Sequence, residues 1–287
     1  MNEIIIEIEV KNPEIIFITE TWWNETSITN IAGYSLYKKD REHSRGGGVC
    51  IYVKDSINSY EINDVVLNNK NIEQIWCSIK IGSENILCGC IYRPGSNDIK
   101  NCQNLIESIN KSYEYISNNT NKYTDILICG DFNFPCLNSK WDNCYPSVCI
   151  GPKEQLFFDC IQECYLTQHV IKPTFQLKEN DLTNILDLVL TSNPFRISNM
   201  IHTDPLGKSK RGHHVLNFNF NIESQNNFVN EDVNTKSKFL FMKGNYEDFS
   251  EYLTKFNLNH EFENLNVNQS YEKFIKIYET GCEKFIP

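Results

Sequence analysis

Six polar side chains stand where an apolar run ends or is interrupted: Glu20, Tyr92, Asp131, Asn133, Asp187 and His213. The densest group closes the stretch Asp125-Ile126-Leu127-Ile128-Cys129-Gly130-Asp131-Phe132-Asn133. Ile126 to Cys129 reads as a buried strand that stops at a turn. A carboxylate and a carboxamide, two residues apart, are thereby delivered to the end of a rigid element. Asp131 can take a proton or bind a cation, and Asn133 can donate to a phosphate or oxyanion while also accepting. The same residues also suit a plain strand followed by an Asx turn. Asp187 is harder to explain away. It sits within Ile185-Leu186-Asp187-Leu188-Val189-Leu190, where an unpaired carboxylate is costly. Histidine is its natural partner, because an Asp–His pair orients the imidazole and stabilises its charged form. His213 and His214 both precede Val215-Leu216 and are both candidates. Each of the others has a bland alternative: Glu20 as a helix-start charge, Tyr92-Arg93-Pro94 as a strand exit, and the two histidines as surface residues beside Lys208-Ser209-Lys210-Arg211.

The elements that must position these groups follow from pattern. Apolar, β-branched runs predict strands at 14–19, 33–37, 49–53, 72–81, 86–92, 126–129, 185–190 and 213–220. Gly82-Ser83-Glu84-Asn85 reads as a hairpin turn. The opening run Ile4 to Val10 alternates and also favours a strand. Helical spacing predicts a helix over 97–118, capped by Ser96 or Asn97, and another over 153–164. The segment 222–238 is rich in Asn, Glu and Ser and reads as a linker. Aromatic and aliphatic spacing beyond Gly244 predicts two amphipathic helices. Many strands, with helices between only some of them, predict a mixed α/β sandwich rather than a pure βαβ fold.

Composition sets bounds on function. The chain has 287 residues, 40% of them hydrophobic, enough for a sizeable core. A net charge of −10 argues against a protein that coats nucleic acid electrostatically. It leaves room for an enzyme that grips a few phosphates or uses a metal to do so. Many of the twelve cysteines, Cys50, Cys77, Cys88, Cys90 and Cys129 among them, lie in apolar runs, and there is no pair of CxxC sequences, which argues for free thiols rather than structural zinc. The start of the chain lacks a cationic signal-peptide opening, and nothing approaches a membrane span. The expected setting is reducing and intracellular, nuclear or cytoplasmic, without a membrane partner.

In order, the chain carries Thr19-Glu20-Thr21-Trp22, Arg45-Gly46-Gly47-Gly48-Val49, Tyr92-Arg93-Pro94, Gly130-Asp131-Phe132-Asn133, Ile185-Leu186-Asp187-Leu188-Val189-Leu190, and Leu206-Gly207-Lys208-Ser209 ahead of His213-His214-Val215-Leu216. This ordered set resembles the endonuclease/exonuclease/phosphatase family over 13–220. More narrowly, it is similar to the apurinic-type endonuclease domain of non-LTR retrotransposon polyproteins. The resemblance implies a four-layer α/β sandwich: two packed mixed β-sheets flanked by helices, with the site at one end of the sheets. It implies an endonuclease/exonuclease/phosphatase domain over 1–222. Residues 223–287 would be a linker and helical extension toward a reverse transcriptase. It also implies Mg²⁺- or Mn²⁺-dependent hydrolysis of a phosphodiester, with DNA as substrate and a reverse transcriptase domain as partner in a longer polyprotein. By the same resemblance Glu20 is the metal ligand and Asp131 positions or deprotonates the attacking water. Asn133 contacts the phosphate, Tyr92 lies near the scissile phosphate, and His213, held by Asp187, donates to a phosphate oxygen.

Two departures qualify that expectation. The family's opening strand, which supplies an Asn, has no match, so a copy lacking its first strand is expected. The family's last motif is Ser-Asp-His, and aligning Val215-Leu216 puts Gly212 where the Asp belongs. The spacing from Ser209 also carries extra residues, so His214 remains an alternative to His213, and Gly212→Asp is expected to raise activity if that position is the lost metal-site carboxylate. The alternatives to a DNA-nicking enzyme are a catalytically impaired or dead copy, or another phosphoesterase of phosphatase or sphingomyelinase type on the same fold.

Overall fold

The computed structural model describes residues 2–41, 45–95, 98–135, 141–142, 145–146, 151–179, 181–207, 211–222, 244–263 and 265–287. The linker beyond Ile222, the cap candidates Ser96 and Asn97, and the basic residues Lys208, Ser209 and Lys210 lie outside these. The chain divides into two compact units, Met1–Ser224 and Gln225–Pro287.

The first unit opens with helix α1 (Asn2–Lys11), not with the strand that Ile4-Ile5-Ile6 suggests. Ile4 and Ile8, one helical turn apart, pack on a cluster of Ile31, Tyr34, Cys50 and Tyr52. Glu7 and Lys11 pair across the next turn at 2.8 Å. Burial of one stripe therefore overrides the β preference of the isoleucines. Three antiparallel strands follow: β1 (Ile15–Thr19), β2 (Tyr34–Lys39) and β3 (Val49–Lys54), in the order β1-β3-β2.

The chain continues through β4 (Asn58–Glu61), β5 (Glu73–Ile81), β6 (Glu84–Tyr92), α2 (Ile99–Asn118) and β7 (Asp125–Asp131). Asp98 caps α2, accepting from the Lys100 N–H at 2.9 Å. After the short β8 (Trp141–Asp142) and β9 (Tyr145–Pro146) come α3 (Pro152–Glu163), β10 (Thr167–Gln168), β11 (Phe175–Gln176), β12 (Leu182–Asn184) and β13 (Asp187–Thr191). The unit's last strands are β14 (Ile197–Thr203), β15 (Gly212–His213) and β16 (Val215–Phe220).

A six-stranded sheet, β10-β13-β7-β6-β5-β4, forms the centre, and the β1-β3-β2 sheet packs against its β5, β6 and β7. The central strands are buried on nearly every residue, as their continuous Ile, Leu and Cys runs require. Among the described residues only β6 and β7 pair in parallel, joined by the α2 crossover. Helices α2 and α3 pack together, and Phe157 of α3 lies 4.6 Å, ring to ring, from Phe134 just beyond β7. Each described cysteine is free and buried. The unit is thus the expected mixed α/β arrangement of packed sheets with helices.

The far end of the central sheet is tied by ions. Arg196 bonds both Asp125 at the start of β7 and Glu84 at the start of β6, the latter at 2.7 Å. All three residues are buried. The second unit contains α4 (Tyr246–Thr254), the short α5 (Leu258–Glu261) and α6 (Val267–Phe285). Phe249, Cys282 and Ile286 form its core. Asn266 and Gln269 make a capping box at the start of α6. No helix among the described residues is long and apolar enough to cross a membrane.

Candidate active site

Register brings the polar residues to one end of the central sheet. Asp131 is the last residue of β7; its neighbours are Tyr92, the last of β6, and Asp187, the first of β13. Three groups separated by up to 95 residues of chain are thus fixed side by side by backbone ladders.

Asp131 is 2% exposed. Its carboxylate accepts the Asn133 backbone N–H at 3.0 Å and the Asn133 side-chain amide at 2.7 Å. That amide also donates to the Arg93 carbonyl at 2.9 Å, so both of its protons are engaged. Asn133 reaches this position with φ of 51°, a left-handed conformation that asparagine tolerates better than most residues. Arg93 is no ordinary strand exit. Its buried guanidinium donates to the carbonyls of Phe132 and Asn133 at 3.0 and 2.6 Å and lies over the Phe134 ring. It clamps the turn that aims Asp131.

His213 Nδ1 donates to the Asp187 carboxylate at 2.8 Å, and its Nε2 stands 3.8 Å from Asp131. The Asp187 N–H is held by the buried Thr174 hydroxyl, and Phe175 meets the imidazole edge-on. Asp131, Asp187 and His213 offer ligand-type atoms that all lie within 4.8 Å of one another. His214 is directed elsewhere, to Gln176 at 3.0 Å. Of the two candidate histidines, His213 is the one in the cluster.

Glu20 joins from the other sheet. Its carboxylate accepts the Tyr92 hydroxyl. Glu20 and Trp22 both have left-handed backbones, with φ of 53° and 56°, which cost energy for such residues. They are held there by Gly46-Gly47-Gly48, whose φ values are 94°, 69° and 86°. The Thr21 and Trp22 N–H groups donate to the Gly48 and Gly47 carbonyls at 3.2 and 2.8 Å. A Cβ on Gly47 would stand 2.3 Å from Glu73 Oε2, and one on Gly48 would stand 2.4 Å from Thr21 Oγ1. Glu73 accepts the Gly48 N–H and the Arg41 Nε at 2.7 Å, and Arg41 lies over the Tyr92 ring. Sequence reading missed Arg41 and Glu73, since single charged residues outside a pattern carry no local signal, and it noted Arg93 within Tyr92-Arg93-Pro94 without its clamping role.

The electrostatics show an anionic pocket. Burial pushes the Asp131 carboxyl well up, and the charges of Asp187 and Glu20 push it further, against the pull of His213 and the Asn133 N–H. Burial opposes the charged form of His213, but the hydrogen bond and charge of Asp187, with Asp131 and Glu20, outweigh it and lift the imidazole to about 9. His213 is therefore an imidazolium at neutral pH. Burial, then the bond to Glu20, raises the Tyr92 phenol, which stays a donor.

Gly212 departs from the expected carboxylate position in more than residue type. Its φ is 142°, and a Cβ there would meet Pro205 at 3.5 Å. An aspartate at this position would be strained, which removes the basis for expecting Gly212→Asp to raise activity.

Residues 86–215 match the family described as Endonuclease-reverse transcriptase. The match spans Tyr92, Asp131, Asn133, Asp187 and His213, and the resemblance read from the ordered motifs is borne out. The fold is similar to the endonuclease domain of TRAS1, a telomere-specific non-LTR retrotransposon, at 16% identity and TM-score 0.56, covering 78% of this chain and 93% of that one. It is also similar to the 3' phosphatase NExo from Neisseria bound to product DNA hairpin (11% identity, TM-score 0.55, 77% and 94% covered). An AP endonuclease from Archaeoglobus fulgidus matches at 16% identity and TM-score 0.52, covering 76% and 93%. No curated protein sequence matches the chain.

Proposed function

We propose that the first unit is a divalent-metal-dependent phosphodiesterase that nicks DNA, of the kind that accompanies a reverse transcriptase. The observation that carries this reading is the meeting of Asp131, Asp187 and His213 within 4.8 Å at one sheet end, with Glu20 bonded to the adjoining Tyr92. The donor set suits a hard cation, since three carboxylates face a single imidazolium, and burial first, then the charge of Asp187, pushes the Asp131 carboxyl up. A protonated imidazole has no lone pair to give, so Glu20 and Asp131 are the residues assigned to hold the ion, and Asp187 serves His213. When bound, Mg²⁺ or Mn²⁺ supplies charge stabilisation to the phosphoryl oxygens.

The remaining roles belong to the side chains. Asp131, also near the attacking water, orients it and takes its proton. His213 donates from Nε2 to a phosphate oxygen, and Asp187 fixes its tautomer and charge. Asn133 has both amide protons committed, so it acts as a positioning residue that aims Asp131 rather than as a phosphate donor. Tyr92 orients Glu20. DNA is favoured over lipid or soluble phosphate by the retrotransposon-type motif wording and by the matched family's description.

The test is nicking of supercoiled plasmid in Mg²⁺ or Mn²⁺. Wild type should produce open circles, chelator should stop it, and Asp131→Asn should lower the rate by at least about 100-fold. Equal nicking by wild type and Asp131→Asn would overturn the assignment. One observation favours a slower enzyme: Gly212 supplies no carboxylate where related motifs carry one.

A further inference from the structure

Trp22 lies two residues beyond Glu20, so its Cα is at most about 7.6 Å from that of Glu20, close to one nucleotide step. The residue is 54% exposed, unusual for a tryptophan in a chain able to bury its aromatics. The exposure is built in. The left-handed backbone at Trp22 is pinned by its N–H to the Gly47 carbonyl at 2.8 Å, and Arg45 lies over the ring with its guanidinium carbon 5.6 Å from the centroid. The neighbouring cations are spent on the fold, Arg41 on Glu73 and Lys38 on Asp40. Phe195, the most exposed of this unit's described aromatics, follows the opposite end of β13 from Asp187.

We infer that Trp22 and Arg45 form a nucleobase platform beside the cleavage centre: an unstacked base next to the scissile phosphate lies on the indole, and Arg45 meets that base or its phosphate. The inference rests on the nuclease reading and adds a substrate contact to it. Stacking of a base on an aromatic ring is tolerant of sequence and contributes about 1–3 kcal/mol. It also suits a protein of net charge −10, which cannot rely on a basic face. A platform of this kind rewards DNA whose base is already unpaired, because the cost of extruding it is then lowest.

The test is fluorescence anisotropy of the full chain with end-labelled duplexes in EDTA, one fully paired and one with a central single-nucleotide bulge. Wild type should prefer the bulged duplex by roughly 5- to 100-fold. Trp22→Ala should lose that preference, Trp22→Phe should keep most of it, and Arg45→Ala should weaken binding to both. Equal affinities for the two duplexes in wild type, or a preference unchanged in Trp22→Ala, would overturn the inference. Plasmid nicking in Mg²⁺ reads the nuclease assignment separately, so a wild type that nicks without bulge preference sinks the platform alone. A wild type that binds neither duplex and never nicks sinks both.

Discussion

At the scale of single residues, the site depends on how one carboxylate is used. Asp187 lies in an apolar strand, yet it is not stranded, because His213 gives it a charged hydrogen bond at 2.8 Å. The pair works in both directions: Asp187 keeps the imidazole protonated to about pH 9, and His213 makes the half-buried carboxylate tolerable. Asp187→Asn should therefore bring the His213 pKa down by at least about one unit in metal-free protein. NMR titration of the imidazole protons reads this directly, and an unmoved pKa would show that Asp131 and Glu20 hold the charge instead. Gly212 is governed by backbone rather than charge. With φ of 142°, Gly212→Asp should destabilise the protein by about 1–3 kcal/mol and leave nicking no faster than wild type. Denaturant unfolding and plasmid nicking of the same variant check both halves.

At the scale of elements, the active end of the central sheet is held in place partly from its far end. Glu84 and Asp125 start the two parallel strands whose last residues are Tyr92 and Asp131, and Arg196 ties those starts together. Arg196→Met would leave two buried carboxylates uncompensated and should cost about 3–5 kcal/mol, measurable by urea unfolding. A loss below 1 kcal/mol would mean water already shares that cluster. This architecture was partly legible in the chain. The runs at 72–81, 86–92 and 126–129 announce buried strands because burial on both faces demands unbroken apolar sequence, and the α2 stripe has helical spacing. The strands β10, β11 and β12 were invisible, since two or three residues hold no period, and β15 was read as one run with β16. The irregular β14 carries too little apolar alternation to be recognised. Helix α1 was misread because a triple isoleucine favours a strand until a partner surface for one stripe is known. Of the site, Glu20, Asp131, Asp187 and His213 were readable as polar residues at strand ends. The Arg93 clamp and the Arg41–Glu73 brace were not, because their partners are distant in sequence and are backbone atoms or isolated side chains.

At the scale of the whole first unit, the two sheets bring like charges together. Glu20 arrives from the end of β1, while Asp131 and Asp187 belong to the central sheet, so closing one sheet on the other concentrates negative charge around a single imidazolium. Without a cation this repulsion works against the packing of the sheets; with one it is converted into a link between them. Divalent metal should therefore stabilise the fold itself, apart from any chemistry. At a Mg²⁺ or Mn²⁺ concentration about 100 times its dissociation constant, the gain is about 2.7 kcal/mol, visible as a rise in Tm by calorimetry. Asp131→Asn and Glu20→Gln should each raise the Tm of metal-free protein, because each removes one repelling charge, and each should shrink the further rise on adding metal. Ca²⁺, which binds oxygen ligands with looser geometry, should stabilise wild type as well, which separates cation binding from turnover. A metal-free Tm lowered by both substitutions, with the metal-induced rise intact, would mean that the hydrogen bonds these carboxylates accept from Asn133 and Tyr92 outweigh their repulsion and that the cation sits elsewhere.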